Sequence, residues 1–142
     1  MDWTLELIVV PVSDIDRAKG FYTDRAGFVE LVDVKVGEDT RVVQLTPPGS
    51  GCAIALMNNT PMKAGSIYGL HVIVPDIERA RAELAGRGVQ VSDYFHFDVA
   101  GQQPGLAPDR SNYNSFCSFT DPDGNTWLVQ EVDHARDARV SR

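Results

Sequence analysis

The 142-residue sequence is poor in cysteine, in basic residues and in long apolar runs. Its two cysteines, Cys52 and Cys117, are too few for a disulfide framework, and both sit in apolar, strand-like stretches as small core residues do. No apolar run approaches the roughly 18 residues that would span a bilayer, so no membrane partner is expected. The start, Met1-Asp-Trp-Thr-Leu-Glu, lacks a basic segment leading into an apolar one. No signal peptide is therefore expected, and the cytoplasm is the default location. Lysine and arginine number 13 against 20 acidic residues, for a net charge of −7. Nucleic-acid phosphates would be repelled, whereas a neutral or cationic small ligand would not. A hydrophobic fraction of 43% and a charged fraction of 23% are ordinary for a soluble globular chain. The length suits one domain, or two small modules sharing a core.

What the sequence does contain is an internal repeat. The stretch Phe119-Thr-Asp-Pro-Asp-Gly-Asn-Thr-Trp-Leu-Val-Gln-Glu131 reads as a β-hairpin. Pro122 pre-sets the first corner of the turn, Gly124 can take the positive φ, and Asp121 and Asn125 can bond the turn backbone. A degraded copy runs from Gln44 to Leu56, with Thr46 and Pro48 matching Thr120 and Pro122 at an offset of 74. Upstream, Val10 to Ala18 resembles Val72 to Ala80, with Asp14, Ile15, Arg17 and Ala18 repeated at an offset of 62. The difference of 12 places an insertion of that size in the second copy. A two-unit repeat is thus expected, each unit roughly 60 to 70 residues long.

Each unit reads as βαβββ. Strands are expected at 5–12, 28–36, 40–45 and 52–57, then at 67–74, 89–94, 115–120 and 126–132. Ser13 reads as the N-cap of the first helix, with Asp16 three residues on. Ile15, Ala18 and Tyr22 share one face of it, and Gly27 ends it. Pro75 stands at the start of the second helix, Ile77, Ala80 and Leu84 form its buried stripe, and Gly88 ends it. The expected organisation is a module at 1–57, a linker at 58–66 and a module at 67–132. The second module carries a loop insertion at about 95–113, and a polar tail at 133–142 is expected to fray. Neither module can bury both faces of its sheet alone. Together they are expected to make one α+β domain, a curved barrel-like mixed sheet with helices outside and a ligand-sized cleft on the concave side.

Three motifs occur in order within this repeat: Val12-Ser-Asp-Ile-Asp-Arg-Ala18 with Phe21-Tyr22, Asp76-Ile-Glu-Arg-Ala80, and Asp121-Pro-Asp-Gly-Asn125. In them the chain resembles, up to about Val132, the vicinal oxygen chelate superfamily of glyoxalase I, bleomycin resistance proteins and extradiol dioxygenases. The resemblance implies the paired βαβββ fold and a homodimer. In the metal-dependent members it also implies four ligands, on the first, fourth, fifth and eighth strands. The corresponding residues here are Leu7, Ala53, Gly69 and Leu128, none with a metal-binding side chain. A slip of one residue would bring in Glu6 but would turn a strand side chain to the opposite face. No metal or other cofactor is expected.

Residues two apart on a strand share a face. His71 and Gln130 are therefore expected beside Gly69 and Leu128, as a possible acid–base group and its orienting partner. Packing of His71 as a satisfied core residue is the plainer alternative. Leu7, Val9, Ala53, Ala55 and Leu128 would line the cleft, with Gln44 as a further polar group and with Ala53, Ala55 and Gly69 making room. Phe95, Arg110 and Tyr113, in the insertion with Phe97, would cover it as a lid. The expected function is metal-free binding of a small organic molecule. The alternatives are a metal-independent isomerase, lyase or cyclase using His71, and a metal-dependent lyase or dioxygenase.

Overall fold

A computed structural model describes residues 1–133, and the tail expected to fray lies beyond it except for Asp133. The chain divides into two compact units. One comprises Met1–Tyr68 with Thr120–Asn125, the other Gly69–Phe119 with the residues from Thr126 onward. The strands pair in two separate sheets of four and five strands, not in a closed barrel, and the fold is α+β.

The first unit holds β1 (Leu7–Pro11), α1 (Ile15–Gly20) running into a π-helical turn (Phe21–Arg25), β2 (Val29–Val36), β3 (Thr40–Thr46) and β4 (Ala53–Met57). The sheet order is β1-β4-β3-β2, with β1 parallel to β4 and the other pairs antiparallel. The N-cap of α1 is Asp14, not Ser13: the Asp14 carboxylate accepts from the Arg17 N–H. The Ser13 hydroxyl donates instead to Asp123, at 2.6 Å, and its N–H to the same carboxylate. One sheet face packs on the helix. Val10, Val43, Leu45 and Leu56 are fully buried there, as are Ala18 and Tyr22.

The turn at 120–125 completes this unit's core. Asp121 Oδ1 accepts from the N–H groups of Asp123, Gly124 and Asn125, and its Oδ2 from the Tyr22 hydroxyl and the Asn125 amide. The Asn125 amide also donates to the Pro11 carbonyl, and its oxygen accepts from Ile67 N–H. Gly65 passes so close to this turn that a Cβ there would lie 2.0 Å from the Asp123 carbonyl oxygen.

The second unit contributes β5 (Tyr68–Val74), α2 (Ile77–Gly86), β6 (Phe95–Asp98), β7 (Gly101–Pro104), β8 (Phe116–Thr120) and β9 (Thr126–Glu131), in the order β5-β9-β8-β6-β7. Asp76 caps α2 through Arg79 N–H, as Asp14 caps α1. Gly27 and Gly88 follow the two helices at φ 79° and 86°, the left-handed geometry expected of them.

Two expectations fail in this unit. Residues 89–94 form no strand: the Ser92 hydroxyl accepts from Ser118 N–H, so a side chain takes a place the backbone ladder would have used. The start of the expected insertion is itself sheet, because β6 and β7 form a hairpin paired Phe95↔Pro104 to Asp98↔Gly101. The Asp98 carboxylate accepts from Ala100 N–H, and Gly101 supplies a φ of 107°. Among the described residues there are thus nine strands where eight were expected.

Candidate functional site

In the first unit the register pairs Leu7 with Ala53, Val9 with Ala55 and Gln44 with Ala55. These five residues therefore share the sheet face turned away from α1. Ala53 and Ala55 are buried, while Leu7, Val9 and Gln44 are half-buried. The Gln44 amide has no hydrogen-bond partner among the described residues, so an inward polar group is available on an otherwise aliphatic face.

Across the β8–β9 hairpin, Asp121 N–H donates to Asn125 O and Glu131 N–H to Ser115 O, while Phe119 and Trp127 stack. This register sets Phe116 opposite Gln130 and Ser118 opposite Leu128. Phe95 pairs with Phe116 across β6 and β8. Phe95, Phe97 and Phe116 thus share a face with Leu128 and Gln130. The Phe95 and Phe116 rings stack at 5.3 Å, and Phe97 meets both edge-on. The sequence places Phe95 and Phe97 together in the insertion but gives no sign of Phe116 beside them. The alternation Phe-His-Phe at 95–97 was the available signal. Its middle residue, His96, is buried and bonds the Gly105 carbonyl.

His71 and Gln130 lie on neighbouring strands, but they bond the main chain and not each other. His71 is exposed rather than packed in the core, and its Nδ1 lies 2.6 Å from the Gly69 carbonyl oxygen. A carbonyl can only accept, so Nδ1 carries the proton and Nε2 of the neutral ring presents a lone pair. The Gln130 amide nitrogen donates to the Tyr113 carbonyl at 2.9 Å, which leaves its oxygen as an acceptor. Gly69 has a φ of 95°, and a Cβ there would meet nothing within 4 Å. The backbone conformation by itself calls for glycine at this position.

Arg110 and Tyr113 hold left-handed backbone, at φ 51° and 68°. Arg110 is engaged with two carboxylates. Its guanidinium grips Glu131 with bonds of 2.9 and 2.7 Å and reaches Glu78 at 3.0 Å. The Glu131 carboxylate also accepts from Ile77 N–H at the first turn of α2. Arg110, and secondarily the Ile77 N–H, hold the Glu131 carboxyl below its ordinary range against the opposing effect of burial. Arg110 is thus tied to the helix N-terminus on the sheet face opposite Gln130. Tyr113 serves through its backbone, as acceptor for Gln130 and as donor to the Glu131 carbonyl.

Metal donors are missing at the four positions that the resemblance implies. Leu7 and Ala53 are cross-strand partners with aliphatic side chains, Gly69 has none, and Leu128 is aliphatic. Glu6 lies outside β1, whose first residue is Leu7. Among the described residues no three His, Cys, Asp or Glu side chains converge as a metal site. The residues present do not fit the superfamily's metal.

These features describe an α+β protein of two related modules, with aliphatic and aromatic sheet faces where metal-dependent members carry ligands. A family model described as the Glyoxalase/Bleomycin resistance protein/Dioxygenase superfamily matches residues 4–129, and the chain belongs to that superfamily. It is 31% identical to TnmS3, an antibiotic binding protein from Streptomyces sp. CB03234, with a TM-score of 0.74 over 92% of this chain and 97% of that one. It is 32% identical to a glyoxalase/bleomycin resistance protein from the same organism, with a TM-score of 0.70 over 89% and 99% of the two chains. YetH, an uncharacterized protein of Bacillus subtilis (strain 168), is 23% identical over 87% of this chain and 94% of its own length.

Proposed function

We propose that this chain binds a small organic molecule without a metal, on the face of the second sheet that carries His71, Leu128, Gln130 and the three phenylalanines. One observation carries the reading. Acceptors at His71 Nε2 and Gln130 Oε1 share a face with an aromatic cluster of 5.3 to 6.0 Å ring spacing. Flat rings stack on such a cluster, and a few polar atoms orient them. The likeness to an antibiotic binding protein supports an antibiotic-like, aromatic or heterocyclic ligand. The aliphatic face of Leu7, Val9, Gln44, Ala53 and Ala55 belongs to the same reading as a second apolar surface for ligand.

The test is a thermal-shift screen of aromatic and heterocyclic antibiotics, because a ligand that binds only the native state stabilises it by about 2.7 kcal/mol at a hundredfold excess over Kd. A hit should be weakened by Phe116→Leu and by His71→Ala, whose exposed side chain can be lost without unfolding the chain. A screen without hits, or hits indifferent to both substitutions, would remove the reading. A second reading rests on the Gly69 carbonyl, which fixes the His71 tautomer with Nε2 as base. In it the chain is a metal-independent isomerase, lyase or cyclase, and a bound hit would be converted by the wild type but recovered unchanged from His71→Ala. The protein is further proposed to be a cytoplasmic homodimer. Light scattering at about 10–50 µM should give twice the chain mass, as a standard-sized interface would survive there.

A further inference from the structure

A depression of about 460 Å³ lies in the second unit where the chain enters the β6–β7 hairpin, lined by Ser92, Asp93, Tyr94, Phe95, Gln102 and Ser118 among others. Phe95 pairs with Pro104 and Phe97 with Gln102, so Gln102 shares the face of Phe95, Ser118 and Leu128. The depression therefore opens on the sheet face proposed above, at its hairpin end. None of its lining residues is lysine or arginine. The Arg81 guanidinium is taken up by neighbouring groups: it donates to the Ser92 and Val91 carbonyls and lies 5.4 Å over the Tyr94 ring.

Its polar groups are one carboxylate, two amides and hydroxyls, with no cationic side chain among them. The Asp93 side chain is fully exposed, with Arg81 only at 3.9 Å. The Gln103 amide nitrogen is taken by Asp98, which leaves that residue's oxygen as an acceptor. The Ser118 hydroxyl and the Gln102 amide have no partner among the described residues. Aromatic walls with a carboxylate at the rim suit one ligand chemistry: a flat ring system carrying positive charge, stacked on Phe95 with its cation toward Asp93.

We propose that this depression is the charge-selecting part of the ligand face, and that it takes aromatic cations in preference to aromatic anions. The proposal rests on the binding face argued above and adds its ligand class and its location. Two fluorescent probes test it: proflavine, a planar cation, and 1-anilinonaphthalene-8-sulfonate, an aromatic anion. Proflavine should bind with one-to-one stoichiometry and at least tenfold more tightly than the anion. Asp93→Asn should weaken proflavine about 3- to 5-fold, the usual reach of an exposed charge, and should reduce the salt dependence of binding. Asp24→Asn makes the same change in net charge within the first unit and should leave binding unaltered. Ser118→Leu, which fills the depression from mid-strand, should abolish proflavine binding, with circular dichroism confirming the fold.

Equal binding of the two probes, equal effects of Asp93→Asn and Asp24→Asn, or no proflavine binding would each overturn the proposal. Proflavine binding that survives Ser118→Leu but is lost in Phe116→Leu would also overturn it, while leaving the wider ligand face intact.

Discussion

Asp121→Ala removes a carboxylate that accepts five hydrogen bonds at 2.8 to 3.0 Å. Each bond to a charged group contributes about 1.5–3 kcal/mol net, but the five share one group and do not add. Of the three turn N–H groups, those of Asp123 and Gly124 are part-buried, so water can replace their acceptor in part, whereas that of Asn125 is buried. The Tyr22 hydroxyl and the Asn125 amide cannot be rescued so easily, since both residues are fully buried. A buried donor left unsatisfied costs about 1–3 kcal/mol. Two such donors, with some loss from the turn, give a total of about 3–5 kcal/mol, a large fraction of a usual 5–15 kcal/mol stability. Tyr22→Phe removes one donor and should cost about 1 kcal/mol. Asp121→Asn keeps the Oδ1 bonds but sets one amide against the Asn125 amide, so it should fall between the two. Urea unfolding followed by circular dichroism should show the Asp121→Ala midpoint lowered by roughly 2 M at unchanged slope. An Asp121→Ala midpoint within about 0.5 M of wild type, or a Tyr22→Phe cost equal to that of Asp121→Ala, would refute this account.

The Glu131 carboxyl is held below its ordinary value of 4.5 in the folded protein, chiefly by Arg110. A depressed folded value means stability that is present above that ordinary value and lost as pH falls through the folded one. Wild type should therefore lose urea resistance below about pH 4.5 more steeply than Glu131→Gln; identical pH profiles would contradict the pairing. Gly65 combines a φ of 81° with a 2.0 Å approach to the Asp123 carbonyl oxygen. Gly65→Ala should thus destabilise by at least about 2 kcal/mol, whereas Gly37→Ala, at φ 72° with open space around it, should cost only the backbone strain. Melting temperatures of the two variants that coincide would argue against the close approach.

Much of the scaffold is legible in the sequence because it depends on neighbours along the chain. Glycine after each helix and Asp121-Pro-Asp-Gly-Asn125 in the hairpin act within a few residues, and the repeat shows each feature twice or in degraded copy. The missing donors at Leu7, Ala53, Gly69 and Leu128 follow from side-chain chemistry once the repeat is aligned. Tertiary structure alone decided which distant group each polar residue meets. Ser13 reads as a helix cap but bonds Asp123, 110 positions away, and Asp14 takes the cap. Arg110 reads as a ligand contact but binds Glu131 and Glu78 at the start of α2. Residues 89–94 alternate as a strand does, yet Ser92 intercepts a ladder donor with its side chain. The phenylalanines at 95, 97 and 116 form one aromatic face only because β6 pairs with β8. Strand parity says which residues share a face within a strand. It does not say which strands adjoin, and that is set by packing between segments far apart in the chain.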